Sequence, residues 1–237
     1  MEEREIKDQA IVIKSEDSGE ADRFVTILTL NHGKIRAKMK GVKKSKAKLA
    51  YASFPFNLGE YLLIQTGRSF TVTNCSFVDN FAGLTMDLNN YYAGAGMLEI
   101  ANLLSRDGEP APELFVVLLK SLKALCYNSE VNIFALLSKF LVAVLEISGF
   151  KLGVREEGNQ TCLTYFDFAL GKLSNEQTAE CVLIPESDQM ELKKIIACPF
   201  DDYDATRKVS KTVLKLLTLF FENKVDEQIK ILKKFVA

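Results

Sequence analysis

The residues whose spacing most directly suggests chemistry are four cations that alternate with apolar residues in one short stretch. They are Lys34, Arg36, Lys38 and Lys40. A β-strand points successive side chains to opposite faces, so the pattern predicts a strand that buries Ile35, Ala37 and Met39 and presents the four cations together. Neighbouring charges on that face would stand roughly 6.6–6.8 Å apart, about two phosphate steps of a nucleic-acid strand. The spacing favours contact with a phosphate backbone.

The cationic stretch continues into a loop rich in glycine, serine, alanine and lysine. The wider segment from position 23 to position 59 holds nine basic residues and no acidic one. The basic residues are Arg23, Lys34, Arg36, Lys38, Lys40, Lys43, Lys44, Lys46 and Lys48. The other 200 residues hold 21 basic and 31 acidic residues, although the whole chain carries a net charge of only -1. Such an asymmetry predicts an anionic ligand. A solvated edge strand protected by lysines is the alternative.

Four aromatic residues flank the segment, namely Phe24, Tyr51, Phe54 and Phe56. Aromatic rings on the surface of a nucleic-acid-binding barrel stack on bases, whereas aromatic rings in strands commonly pack in the core. Both alternatives stay open for these four side chains.

Catalytic and metal-binding constellations find little support. The single histidine, His32, lies in a turn without a neighbouring cysteine or carboxylate cluster, so we expect a structural or phosphate-adjacent role. The acidic run at 201–204 precedes a predicted helix, which makes Asp204 a helix N-cap in preference to a metal ligand. Cys162 and Cys181 are one cysteine at each end of an irregular segment, where a zinc ribbon needs a pair at each end. We therefore predict no catalytic site, no metal site and no cofactor.

The chain has the composition of a globular protein, with 48% hydrophobic and 26% charged residues. The N-terminus lacks a basic and apolar secretory pattern, and the most apolar segment, 133–150, contains Lys139 and Glu146. We therefore expect a buried helix there and no membrane association. Five widely separated cysteines without a C-x-x-C pair predict reduced thiols and a cytoplasmic location.

The coarse pattern predicts an α+β protein of two domains. Residues 1–81 contain short strand-like runs with little helical periodicity, at 10–13, 24–30, 34–40, 58–65 and 70–78. This pattern favours a small antiparallel barrel of the OB-fold type. Residues 82–237 predict a mainly helical domain, interrupted at 151–187 by a small hairpin excursion. The predicted helices lie at 88–106, 113–127, 131–148, 188–197, 204–223 and 226–235.

Several short motifs resemble the bacterial recombination mediator family RecO. They are Glu20-Ala21-Asp22-Arg23, Asn31-His32-Gly33-Lys34, Lys40-Gly41-Val42-Lys43-Lys44, Phe54-Pro55-Phe56 with Glu60, and Tyr91-Tyr92 at the start of the first helix. The resemblance implies an OB-fold followed by a helical domain, with no catalysis. It also implies binding of single- and double-stranded DNA, strand annealing, and cooperation with RecR and single-stranded DNA-binding protein in loading RecA. The location would be the cytoplasm, in association with the nucleoid.

This chain departs from the RecO pattern at 151–187, where many members carry a four-cysteine zinc motif. The paired cysteines are missing, so we expect no zinc there. The excursion would be held by its own apolar residues, namely Leu163, Tyr165, Phe166, Phe168 and Val182.

The penultimate predicted helix carries a second set of cations at helical spacing. They are Arg207, Lys208, Lys211 and Lys215, beside an apolar face formed by Val209, Val213, Leu216, Leu217 and Phe220. A solvated face is the simple explanation. The resemblance implies that the acidic C-terminal tail of single-stranded DNA-binding protein binds here, with its apolar end in a groove. Two other functions stay open for the chain, a protein–protein adaptor and an RNA-binding factor that uses the basic barrel.

Overall fold

The computed structural model describes residues 3–154, 164–174 and 177–236. The chain divides into two compact units. The first unit runs through Asp87 and also takes in Met97–Leu122, while the second comprises Leu88–Gly96 and the chain from Lys123 onward.

Five strands of the first unit close into a barrel. They are β1 (Glu3–Ser18), β2 (Asp22–Thr29), β3 (Lys34–Met39), β4 (Leu58–Thr66) and β5 (Ser69–Asp79). Their order around the barrel is β1-β2-β3-β5-β4, closed by pairing of β1 with β4. Neighbouring strands are antiparallel except for β3 and β5, which are parallel. The barrel is an OB-fold, and the predicted fold class is confirmed.

Strand β1 is far longer than the predicted strand at 10–13. Its first part pairs with β4 and its last part with β2, and the register with β2 shifts between Val12 and Lys14. A bulge of this kind bends a strand, which allows β1 to pass from one neighbour to the other. The sequence pattern predicts only the segment of β1 that is apolar on both faces. The flanking parts of β1 are polar, and they belong to the strand because they pair with β4 and β2.

The barrel core contains apolar side chains from all five strands. In β3 the predicted alternation is confirmed, since Ile35, Ala37 and Met39 are at most 3% exposed. The large side chain of Tyr61 is fully buried, and its hydroxyl donates a hydrogen bond to the Ala52 carbonyl at 2.8 Å. Burial of a tyrosine is tolerated when its hydroxyl finds such a partner.

The turn between β2 and β3 is held against the segment that joins helix α1 (Leu88–Leu104) to helix α2 (Pro112–Tyr127). The Lys34 amide donates to the Arg106 carbonyl at 3.3 Å, and the Gly108 amide donates to the Lys34 carbonyl at 3.0 Å. Gly33 has a φ of 69°, and a Cβ atom at this position would overlap the backbone of Glu109. Only glycine satisfies both the left-handed conformation and the close approach.

The second unit is built around helix α3 (Ile133–Ile147), which is buried along its length from Ala135 to Leu145. Lys139, which lies within this buried part, is only 2% exposed, and its ammonium donates to the carbonyls of Ile195 and Cys198. These carbonyls stand at the C-terminal end of helix α4 (Glu186–Ala197), where a cation is favourable. Burial nevertheless lowers the pKa of Lys139. In the described part of the chain, every helix is too short or too polar to span a membrane.

Helix α5 (Lys211–Val225) begins seven residues later than the predicted helix at 204–223. The side chain of Ser210 accepts a hydrogen bond from the Val213 amide and caps the helix, so the predicted cap at Asp204 is wrong. Asp204 instead accepts from the Thr206 amide at 3.0 Å, which closes a turn. Asp226 adopts a left-handed conformation and ends α5, and the predicted helix at 226–235 shrinks to α6 (Lys233–Val236).

The excursion at 151–187 is a small sheet, which is more than the predicted hairpin. Its strands are β6 (Gly153–Val154), β7 (Thr164–Asp167), β8 (Lys172–Ser174) and β9 (Cys181–Ile184), in the order β6-β8-β7-β9. The buried ring of Phe166 packs edge-on against Phe220 of α5 with centroids 5.3 Å apart. Val182 is 48% exposed, and Leu163 lies outside the described residues. The sheet is therefore stabilised by α5, and not only by its own apolar residues.

Candidate nucleic-acid interface

The cations of β3 do not form a uniform stripe, because the Lys34 side chain is bound within the protein. Its ammonium donates to the Asn102 carbonyl at 3.0 Å and stands 4.0 Å from the Asp107 carboxylate. The Lys34 side chain is only 18% exposed. A lysine beside the last carbonyls of a helix, here α1, satisfies unpaired acceptors and the helix dipole. Lys34 is therefore not expected to contact phosphate.

Arg36 and Lys38 remain on the outer face of β3, and both have partners within the protein. Lys40 lies in the turn that follows the strand. Lys38 forms an ion pair with Asp22 at 2.9 Å, and the Arg36 guanidinium lies 3.8 Å from Glu16. Hydrogen bonds from the Gly41 amide and from Lys38 hold the pKa of Asp22 below its usual value. The carboxylate thus stays ionised and screens part of the stripe.

A second acidic residue screens the start of the basic loop. Asp17 pairs with Lys43 at 2.8 Å and with Arg23 at 3.0 Å, and these two hydrogen bonds lower the pKa of Asp17. The expectation of cations without counter-charge is therefore wrong in three dimensions. The acids come from the end of β1 and the start of β2, which pair side by side and adjoin β3.

The least screened charges are Lys40, Lys44, Lys46 and Lys48, all of which are exposed. Among the described residues, we find no ion pair within 4.0 Å for any of these four. Their backbone is shaped by successive turns, with the Lys44 amide donating to Gly41 and the Ala47 amide donating to Lys44. This loop, together with Arg36 and Lys38, is the basic surface of the barrel.

Exposed aromatic rings accompany the basic surface. Phe54 is 51% exposed beneath the Arg23 guanidinium, which lies 4.5 Å from the ring centroid, and Arg36 lies 4.0 Å from the ring centroid of Phe24. Tyr51 makes an edge-on contact with Phe77, whose ring is 54% exposed. Phe56 is only 3% exposed and belongs to the core. Sequence reasoning missed Phe77, since an aromatic residue inside a strand pattern is assigned to the core by default.

His32 has a structural role at the turn between β2 and β3. Its Nδ1 lies 2.7 Å from Oδ2 of the buried Asp8, which also accepts from the amide of Asn31 at 2.9 Å. Burial raises the pKa of Asp8, but the hydrogen bonds from His32 and Asn31 outweigh that effect and leave the pKa below its usual value. The turn is thereby fastened to β1.

The predicted cationic stripe of the second unit is only partly assembled. Arg207 and Lys208 precede α5, and the Arg207 guanidinium pairs with Glu191 at 3.1 Å. This pair raises the pKa of Arg207 and lowers that of Glu191. Lys211 and Lys215 lie on the exposed side of α5. The predicted apolar groove is filled, because its residues are buried within the unit: Val209, Val213, Leu216, Leu217 and Phe220.

Metal-ligating residues do not cluster in the described part of the chain, where no group of three or more His, Cys, Asp or Glu side chains is found. The thiol of Cys181 donates to the Thr178 carbonyl at 3.1 Å. Cys162, the other cysteine considered at this excursion, lies outside the described residues.

The barrel and its basic surface define the first unit as an OB-fold domain, a class that binds oligonucleotides or oligosaccharides. Comparison with known proteins identifies the family. The family model described as recombination protein O N terminal matches residues 1–81, and the one described as recombination protein O C terminal matches residues 86–233. The chain belongs to the recombination protein O family, and the resemblance noted from its motifs is confirmed.

Curated relatives from several bacteria agree with this assignment. A protein named DNA repair protein RecO from Bifidobacterium animalis subsp. lactis is 30% identical over 188 residues, which cover 76% of this chain and 77% of the relative. A protein of the same name from Nocardioides is 32% identical over 146 residues, covering 61% of this chain and 59% of the relative. One from Desulfitobacterium hafniense is 37% identical over 113 residues, covering 48% and 41%. The family assigns the chain to DNA repair and recombination.

Proposed function

We propose that the chain is a non-enzymatic mediator that binds single- and double-stranded DNA through the basic surface of its barrel. The observation that carries the proposal is the group of four exposed lysines, Lys40, Lys44, Lys46 and Lys48, which form no ion pair within 4.0 Å among the described residues. Solvated point charges of this kind suit phosphate groups, which supply affinity without sequence specificity. The chain would act in the cytoplasm, associated with the nucleoid.

Base stacking on exposed rings would add affinity for single strands. Tyr51, Phe54 and Phe77 expose part of their rings beside the basic loop, and Arg23 covers one face of Phe54. Stacking on an aromatic ring contributes about 1–3 kcal/mol per base and tolerates any sequence. A duplex keeps its bases stacked on each other, so this contribution is specific to single strands. A surface that holds single strands by backbone and base faces leaves base edges open, as strand annealing requires.

The test of DNA binding is fluorescence anisotropy of labelled single-stranded DNA, duplex DNA and RNA over a series of salt concentrations. We expect binding to both DNA forms, with log K falling steeply as log salt rises. Binding to none of the three nucleic acids would favour the adaptor function, and a strong preference for RNA would favour the RNA-binding function. Either result would overturn the proposal.

The family resemblance supports two partners, RecR and single-stranded DNA-binding protein. For the acidic tail of the latter, we propose contact with Lys208, Lys211 and Lys215 near the start of α5. Arg207, which the same pattern includes, is paired with Glu191. A hollow of about 380 Å³ beside Arg207 has an apolar wall formed by Tyr203, Ala197 and Cys198, which offers a place for the apolar end of the tail. Its other lining residues are Lys194, Asp202 and Asp204. Carboxylates at lysines and an apolar end in a hollow match the chemistry of such a peptide.

Mediator activity itself is testable by RecA assembly on single-stranded DNA coated with single-stranded DNA-binding protein. We expect this chain together with RecR to accelerate assembly, while either protein alone has a smaller effect. Unchanged assembly rates in the presence of both proteins would contradict the mediator role while leaving DNA binding intact.

A further inference from the structure

A pocket of about 510 Å³ opens at the end of the barrel opposite the lysine-rich loop. It lies where β1 begins, where the β2–β3 and β4–β5 turns meet, and where the segment after α1 reaches the barrel. Its apolar walls are Ile6, Ile35, Phe70 and Pro110. Pockets of roughly 300–1,000 Å³ are large enough for a small organic ligand, so a single nucleotide unit fits this volume.

The pocket is strongly cationic. Four side chains that are charged at neutral pH line it, namely Arg4, Arg36, Arg68 and Lys34, together with the imidazole of His32. Asp107 is the one carboxylate among its lining residues in the described chain, and its side chain is 85% exposed. The lining therefore carries a formal charge of about +3 with the histidine neutral.

Two of these cations form no ion pair with any residue that the structure describes. Arg4 and Arg68 are exposed and form no ion pair within 4.0 Å among the described residues, whereas Lys34 is held by Asn102 and Arg36 lies 3.8 Å from Glu16. Arg4 belongs to β1, and Arg68 belongs to the turn between β4 and β5. The start of β1 pairs with the end of β4, just before this turn. Arginine presents a planar fork of donors that matches a phosphate group in two contacts.

The pocket is continuous with the basic surface of the barrel. Arg36 lines the pocket and also belongs to the outer face of β3, which leads through Lys38 to Lys40. From residue 36 to the end of β3 at residue 39 the strand advances roughly 10 Å, about two to three nucleotides of a DNA strand lying along it. A nucleic-acid strand bound to the loop and to β3 would reach the pocket at its end.

We propose that this pocket binds the terminal phosphate monoester of a DNA strand, with Arg4 and Arg68 contacting the phosphate. An internal phosphate diester carries a single negative charge, whereas a terminal monoester carries about -1.5 to -2 at neutral pH. The excess of positive charge and the two unpaired guanidinium groups favour the more highly charged group. The apolar wall at Phe70 and Pro110 would contact the terminal nucleoside. This proposal rests on the binding of DNA by the barrel, and the following test separates the two.

The experiment compares otherwise identical single-stranded oligonucleotides that end in a phosphate or a hydroxyl, at the 5′ end and at the 3′ end, by anisotropy at fixed salt. We expect a terminal phosphate to tighten binding roughly tenfold, the effect of one hydrogen bond to a charged group. The gain should disappear in the double variant Arg4→Ala/Arg68→Ala, to which phosphate-ended and hydroxyl-ended strands should bind with equal affinity. Arg68→Lys should keep part of the gain, since the charge remains while the fork is lost.

Two controls make the outcome specific. Lys48→Ala in the basic loop should weaken binding of phosphate-ended and hydroxyl-ended strands by the same factor, and Lys193→Ala on the exposed face of α4 should change neither. Equal affinity for the two kinds of strand end, or a phosphate-dependent gain that survives the Arg4/Arg68 variant, would overturn the proposal while leaving DNA binding intact. Loss of all DNA binding by the unmodified protein would instead overturn the proposed function.

A free nucleotide is the other source of the same chemical group. Adenosine monophosphate should compete with the labelled phosphate-ended strand only weakly, because it lacks the contacts along β3. Competition as strong as that of the unlabelled oligonucleotide would assign the pocket to free nucleotides and overturn its assignment to strand ends.

Discussion

Two cationic stretches, one on β3 of the barrel and one before and along α5, show the same kind of pattern in the sequence and differ in the structure. On β3, Arg36 and Lys38 stand on one outer face as their spacing predicts, and the exposed Lys40 follows in the next turn. Before α5, Arg207 and Lys208 lie outside the helix, and the expected apolar groove is filled by the core of the unit. A strand alternation depends only on neighbouring residues, whereas a helical stripe depends on where the helix begins.

The largest expected effect separates the two stretches by DNA affinity. Replacing Lys40, Lys44, Lys46 and Lys48 by alanine should weaken DNA binding on the order of a hundredfold, because four phosphate contacts are lost. The slope of log K against log salt should shrink by roughly 0.7–0.9 for each contact. Anisotropy over a salt series measures both quantities. A folded quadruple variant with unchanged affinity and slope would exclude the loop as the DNA site.

The second prediction concerns the aromatic rings beside the basic loop. Phe54→Ala combined with Phe77→Ala should weaken single-strand binding roughly tenfold and leave duplex binding nearly unchanged, because only unpaired bases stack on side chains. The control is Phe24→Leu, which removes a ring covered by Arg36. Equal losses for single strands and duplex would show that the rings support the fold and do not stack on bases.

The third prediction tests the stretch at α5 with a peptide of the acidic tail. The double reversal Lys211→Glu/Lys215→Glu should reduce peptide binding by roughly tenfold or more, since like charges then face each other, while DNA affinity stays the same. Titration of the labelled peptide measures the first effect and anisotropy of DNA the second. If the peptide competes with DNA and its affinity is unchanged in the double variant, the tail binds the barrel.

The fourth prediction is a gain of DNA affinity when a screening carboxylate is removed. Asp22→Asn keeps an acceptor for the Gly41 amide but frees Lys38, so DNA binding should tighten roughly two- to fivefold, the scale of a surface ion pair. The matched control Glu191→Gln frees Arg207 in the other unit and should leave DNA affinity unchanged. A similar gain from both variants would mean that the stretch before α5 also binds DNA.

The same carboxylates set the expected pH dependence. Because the pKa values of Asp17 and Asp22 are lowered in the folded protein, their ion pairs contribute stability above the unfolded pKa of about 3.8 and lose it as the pH falls through the folded pKa. We therefore expect these two groups to leave DNA affinity and stability constant between pH 5 and 8. Thermal melts of Asp22→Asn and the unmodified protein should converge only in acid below about pH 4.

The smallest expected effect on DNA binding distinguishes Lys34 from its neighbours on β3. Lys34→Ala should leave DNA affinity within about twofold but lower the free energy of unfolding by about 1 kcal/mol, because the end of α1 loses its cation. Arg36→Ala provides the comparison, since it should weaken DNA binding without a matching loss of stability. An affinity loss for Lys34→Ala equal to that for Arg36→Ala would restore Lys34 to the DNA-contacting residues.

The sequence by itself determined the closed barrel, the burial of Ile35, Ala37 and Met39, and the long buried helix α3. These features depend on hydrophobic periodicity and on turn residues, and both are set by residues that are close together in the sequence. It also determined the family through short motifs spread along the chain. It did not determine where elements begin and end, as the N-cap of α5 at Ser210 and the extended β1 both show.

Only the tertiary structure decided which cations are available to a ligand. Strand pairing brings Glu16, Asp17 and Asp22 to a segment that has no acid of its own, and the close packing at Gly33 turns Lys34 toward α1. It also brings Arg4, Arg36 and Arg68, which are far apart in the chain, to one pocket. The physical reason is that charges interact through space over several ångströms, and the partner that screens or joins a cation is set by sheet pairing and not by sequence distance.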